Sequence, residues 1–247
     1  MFLSACKTLR SFCAAEYPPS RCFCTTTGKS TGAIMIPPRF RRAVNDARPF
    51  GVHRFDVFGP KVGRPLTLYG LNAFHLWLRL EANSRVTTYC ERPLRIPDTR
   101  PTRAVDFWVG EEGQEILMIV LRRSEVAAVA MSGTPFPAFE AWSRSHSMVL
   151  RILHPDELDD PELLRRNRLT MLRYLAASAY ECCDVVAPDI LGACRDGLTL
   201  SQLEHRLAPL DPTVSRAAAF KLVLSDALYC PTLATQSLGL RSVLVTR

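Results

Sequence analysis

The sequence predicts a mixed α/β domain followed by a helical one, and three observations carry that expectation. The runs "AVDFWVG" (104–110) and "EILMIVLRR" (115–123) are apolar and joined by the Gly-containing turn "EEGQ", the pattern of a β-hairpin. Just upstream, Leu71, Phe74, Trp77 and Leu78 recur at helical spacing. From Pro155 onward the pattern turns helical. The segment "DELDDPELLRRNRLTMLRYLAAS" (156–178) puts acids early and arginines late, as the helix dipole favours.

Residues 31–67 are rich in Pro and Arg with little periodicity, and read as an extended arm with short strands. A helix over about 70–82 comes next, then the β-rich "RVTTYCERPLRIP" (85–97), which Pro97 stops, and then the hairpin. "FEAWSRSHSMVLRIL" (139–153) reads as helix, then strand. Helix, three strands, helix and strand suit an α/β sheet with one face covered by the first helix. The long helix 156–178 opens the C-terminal part, followed by a short helix that ends at Gly197. Two more helices follow. Ser201 caps the first, with Glu204 three residues on as a capping box, and the second starts near Pro212–Thr213. A β-like tail, "RSVLVTR", closes the chain, and helix, turn, helix, strand is the order of a winged helix. Three regions result: a basic, partly disordered N-terminal arm (1–60), an α/β domain (61–154) and a helical, winged-helix-like domain (155–247).

Composition narrows the function classes. With 47% hydrophobic and 22% charged residues over 247 positions, the chain reads as a soluble globular protein. No apolar run approaches the ~18 residues of a membrane span, so a cytoplasmic protein with no membrane partner is expected. The net charge of +7 is concentrated at the front, where residues 1–80 hold 12 Lys and Arg against three acids. Such an end attracts polyanions, nucleic acid first; the plainer alternative is a solvated basic tail. The nine cysteines form no C-x-x-C pair, and their odd number suggests reduced thiols rather than zinc ligands. The first thirty residues are acid-poor and transit-peptide-like in composition, without a secretory pattern. "GKS" at 28–30 is no phosphate loop, because Phe23 stands where the motif needs Gly. The five histidines form no H-E-x-x-H pair, and no G-x-S-x-G elbow exists.

Leu80–Glu81, Val86, "ERP" at 91–93 and Val105–Asp106–Phe107 occur in an order that resembles the TnsA-like endonucleases of heteromeric transposases. The resemblance spans about residues 60–245, and the helical C-terminal half is similar to that family's second domain. It implies a restriction-endonuclease-like fold with a PD-(D/E)xK site: an acid on the first helix, an Asp at the end of one hairpin strand, and Glu-x-Lys on the next. Those carboxylates hold Mg²⁺, which activates water against a phosphodiester. In this chain the helix acid would fall near Asn72–Ala73, and the strand acid and lysine at Ile119 and Leu121. Asp106 alone remains as a catalytic and metal-binding remnant, with Glu115 the nearest substitute on the second strand.

A lone carboxylate does not hold Mg²⁺ tightly, so the resemblance implies a DNA-binding protein whose own nuclease site is lost and which needs no cofactor. Its partners would be double-stranded DNA, a DDE-type transposase and an ATPase regulator. Arg39, Arg41, Arg42, Arg48 and Arg54 on the arm would neutralise phosphates, with Arg216 and Lys221 on the second helix of the winged module. Two alternatives stay open: an active Mg²⁺-dependent endonuclease with a shifted site through Asp106 and Glu115, and a protein-docking adaptor.

Overall fold

The computed structural model describes residues 38–44, 48–100, 102–132, 135–178, 183–208 and 210–247. The transit-peptide-like leader, "GKS", Cys6, Cys13, Cys22, Cys24 and Cys182 lie outside the described residues. The first element is a hairpin, β1 (Arg54–Gly59) and β2 (Arg64–Tyr69), a two-stranded antiparallel sheet that spans the expected arm boundary at residue 60. Helix α1 (Leu71–Ala82) follows after Gly70, whose φ of 90° makes the corner.

A mixed four-stranded sheet forms the centre. It contains β3 (Val86–Glu91), and then the short pair β4 (Arg95–Ile96) and β5 (Arg103–Ala104) bonds outside it. Strands β6 (Phe107–Glu111) and β7 (Gln114–Val120) make the hairpin read from the sequence. Glu112 and Gly113 turn it, both at positive φ, as a tight two-residue hairpin requires. Helices α2 (Arg123–Ser132) and α3 (Pro137–Ser145) then lead to β8 (Val149–Leu153). The strand order is β3-β6-β7-β8, antiparallel except where β8 runs parallel to β7.

Both faces of this sheet are buried. Ile116, Met118 and Val120 point into the cluster that holds α1, while Leu117, Ile119 and Leu121 point into the one that holds Phe136 and Phe139 of the α3 region. The α1-side cluster continues into the C-terminal residues. Helices α4 (Glu162–Ala177) and α5 (Ala187–Ala193), strand β9 (Leu198–Thr199), helices α6 (Leu200–Arg206) and α7 (Pro212–Leu224), and strands β10 (Leu228–Tyr229) and β11 (Val243–Thr246) make up this part. Its three-stranded antiparallel sheet has the order β10-β11-β9. Met171, Ile190, Leu203, Phe220 and Leu244 join the same apolar cluster as Leu76 and Leu80 of α1. Arg79 of α1 also bonds Asp160 through two nitrogens, at 2.8 and 3.0 Å. The capping box of α6 is Thr199 with Gln202, not Ser201 with Glu204: the helix starts at Leu200, so Ser201 already lies inside it, and Glu204 is engaged by Arg216.

The C-terminal end of α1 rests on a buried polar network. Trp77 Nε1 donates to Tyr89 Oη (2.9 Å), which donates to Glu81 Oε1 (2.5 Å). The Lys61 ammonium donates to the carbonyls of Leu80 and Asn83 at the negative end of the helix dipole, and to that of Val86 at the start of β3. Burial raises the Glu81 carboxyl to about 7, against the hydrogen bond from Tyr89 and the charge of Lys61. Between pH ~5 and ~7 the folded chain therefore keeps a proton that the unfolded chain has released, and stability falls as pH rises. We expect Tm to drop across that window and the slope to flatten in Glu81→Gln, as followed by circular dichroism. A second test is steric: a Cβ at Gly59 would strike Tyr89 Oη, which the network holds in place. Gly59→Ala should cost about 1–3 kcal/mol in urea unfolding.

Candidate functional site: an arginine-bridged cleft

A cleft of about 710 Å³ opens between the N-terminal end of α1 and the ends of β3, β6 and β7. Gly70, Leu71, Asn72 and Ala73 form its wall on the α1 side, and Glu91, Arg92, Arg103, Asp106, Val120 and Arg122 line the rest. The expected strand positions need correcting. Alternation along β7 turns Ile119 into the α3-side cluster, and Val120 with Arg122 lines the cleft. Leu121 touches the cleft but packs with the α3-side cluster as well. No carboxylate enters from α1, because Asn72 and Ala73 stand at that wall.

Asp106 sits just before β6, and its Oδ2 accepts from the Val120 backbone N–H (2.7 Å) and from Arg103 Nη2 (2.8 Å). Arg103 also donates through Nη1 to Glu125 Oε2 (2.6 Å) and through Nη2 to the Val120 carbonyl (3.1 Å). Its side chain is only 5% exposed, so a permanent cation lies between two carboxylates inside the protein. Burial pushes the Asp106 carboxyl up from its usual value, and the Arg103 charge pulls it back. The other acid of the cleft, Glu91, is clamped by Arg64 at 2.8 and 2.5 Å. Among the described residues, no group of three or more His, Cys, Asp or Glu could hold a metal ion. A Mg²⁺ ion does not fit this donor set: Asp106 Oδ2 is taken by Arg103 and the Val120 N–H, and Arg122 brings a second positive charge near it.

Glu115 lies elsewhere. It accepts from Trp108 Nε1 (3.2 Å) and pairs with Arg39 (3.1 Å), away from the residues that line the cleft. The other arm arginines divide. Arg48 donates to the Val52 carbonyl and Arg54 pairs with Asp56, while Arg41 and Arg42 are exposed and make no ion pair among the described residues. In the C-terminal part Arg216 is engaged by Glu204 and by Tyr174 Oη (2.7 Å), and Lys221 by Asp184 (2.6 Å). Helix α7 is covered along most of its length, with Ala217, Ala218, Ala219 and Phe220 all buried.

Sequence reasoning singled out Asp106 but missed Arg103, Glu125, Arg92 and Arg122. Glu125 is carried by α2, a helix with no strong apolar period, so nothing in the sequence ties it to Arg103. We expect Arg103→Ala to strand two partly buried carboxylates and cost up to about 3–5 kcal/mol in urea unfolding, the upper end being that of a fully buried pair. Asp106→Asn in the same background should recover part of that loss, because one of the stranded charges is gone. The chain matches no protein-family model and no curated protein, which leaves its topology and the chemistry of this cleft as the ground for assigning a function.

Proposed function

We propose that this is a TnsA-like transposition protein that holds DNA for a DDE-type transposase and its ATPase regulator and has lost its own ability to cut. The order α1, β3, β6, β7, α3, β8, with β8 parallel to β7, supports a restriction-endonuclease-like core. The order α5, β9, α6, α7, β10, β11 supports a winged-helix-like module behind it. The observation that carries the loss of cutting is Arg103. Its guanidinium bonds Asp106 and Glu125 at the strand end where the family's metal-bound carboxylates would gather, and so supplies from within the chain the positive charge that a metal brings.

DNA contact would fall to the cleft and the arm. Arg41 and Arg42 are exposed and unpaired among the described residues, whereas Arg216 and Lys221 are engaged within the fold. On this reading the C-terminal module braces α1 and does not enter a groove. The engagement of those two side chains and the burial of α7 also favour a second reading, in which the module docks a protein partner.

Fluorescence anisotropy of a labelled duplex, titrated with the full chain between about 50 and 200 mM salt, tests the proposal. We expect binding that weakens steeply with salt, is unchanged by EDTA, and is accompanied by no strand cleavage in Mg²⁺ or Mn²⁺. Arg41→Ala combined with Arg42→Ala should lower the slope of log K against log salt by about two, one for each phosphate no longer neutralised. Cleavage by the wild type that disappears in Asp106→Ala would replace this reading with an active nuclease. Absence of duplex binding would leave the docking adaptor.

A further inference from the structure

The charges around the cleft do not cancel. Glu91 is neutralised by Arg64, and Asp106 and Glu125 share Arg103. Arg92 and Arg122 remain, both lining the cleft, and neither forms an ion pair with a carboxylate among the described residues. Counting all of these side chains, four arginines face three carboxylates, an excess of one positive charge.

Arg92 is held in an unusual way. Its backbone has φ 42°, a left-handed conformation that costs a non-Gly residue on the order of 1–3 kcal/mol. Its backbone N–H donates to the Asp106 carbonyl (3.0 Å), so the strained residue is tied directly to another residue of the cleft lining. The guanidinium lies over the Tyr69 ring at 4.6 Å and gives Nη1 to the Thr67 carbonyl (2.6 Å). Its Nε is the one buried side-chain nitrogen or oxygen without a hydrogen-bond partner among the described residues. The side chain of Arg122, which also lines the cleft, makes no hydrogen bond among the described residues. Burial and the neighbouring Arg103 charge hold Arg122 below the ordinary arginine value, against the opposing pull of Glu125 and Asp106.

Helix α1 adds to this. It is twelve residues long, begins at the cleft wall with Gly70, has no side-chain cap on its first N–H groups and carries no acid in its first turn. The positive end of its dipole is therefore not offset. Guanidinium groups and free backbone N–H groups around one concavity are the donors that a tetrahedral oxyanion accepts.

We propose that this cleft is a metal-independent phosphate site, in which Arg92, Arg122 and the first N–H groups of α1 bind the oxygens of one phosphate group. Its volume of about 710 Å³ has room for the phosphate with an attached sugar and base. The phosphate could belong to a nucleic-acid backbone or to a free phosphate or phosphomonoester. Only the choice of the backbone rests on the function proposed above; the site itself does not.

Isothermal calorimetry of the full chain with inorganic phosphate, at ionic strength held constant with chloride, is the direct test. We expect saturable binding by the wild type. Arg122→Gln, which breaks no side-chain hydrogen bond among the described residues and should leave folding intact, should weaken it about tenfold, the order for loss of one charge-assisted hydrogen bond. Arg92→Gln should act in the same direction, with Tm recorded to separate folding from binding. A duplex added in excess identifies the source. If DNA displaces phosphate, the site takes a backbone phosphodiester. If phosphate binds in an Arg122-dependent way and DNA neither binds nor competes, the site stands for a free phosphate group and the DNA reading fails. Absence of saturable phosphate binding, or equal affinity in the wild type and a folded Arg122→Gln, would overturn the proposal.

Discussion

Burial of β7 on both faces is the constraint from which the arrangement of the rest follows. A strand covered on two sides must be apolar at every central position, and Ile116 to Val120 meet that demand without a polar break. The pleat then assigns odd residues to α3 and even residues to α1. Polar chemistry can enter only where the strand ends, and there the chain places Arg122 beside Asp106 and Arg103. The cleft exists because α1 starts at Gly70, above that strand end, and leaves its first turn uncovered.

Charge around the strand end is settled by arginine throughout. Planar guanidinium groups match carboxylates through two parallel bonds and stay charged when buried. Arg64 uses this geometry on Glu91, and Arg79 uses it on Asp160 at the seam with the helical part. Arg103 differs in spreading one guanidinium over two carboxylates and a carbonyl, which locks the end of β7 to the start of α2.

The regular elements were legible because each has a period or a turn behind it. Leu71, Phe74 and Leu78 mark α1, and Glu112–Gly113 marks the hairpin. The β1–β2 hairpin was harder to see, since Pro65 and the arginines around it mask an alternating "RFDVF"; a separate two-stranded sheet tolerates such a residue where a central strand would not. Two overlapping capping patterns, Thr199 with Gln202 and Ser201 with Glu204, are equal in sequence; the helix starts at Leu200, and Glu204 bonds the distant Arg216. The site was half legible. Asp106 announces itself as an acid at a strand end, but Arg103 acquires its meaning from Glu125, carried by a helix that periodicity does not reveal. The phase of β7 was also beyond reach, because an unbroken apolar run looks the same from either face.

The apolar cluster shared by α1 and the C-terminal helices has a consequence for synthesis at the ribosome. Leu76, Leu80 and Met118 are made more than a hundred residues before Leu228 and Leu244 of the same cluster. At ordinary translation speeds of roughly 5–20 residues per second, the early half waits on the order of ten seconds with this flank unfinished. During that interval the nascent sheet presents an apolar surface of the sort that chaperones hold. Strand β11, made after every other member of this cluster, is therefore the one that closes the core.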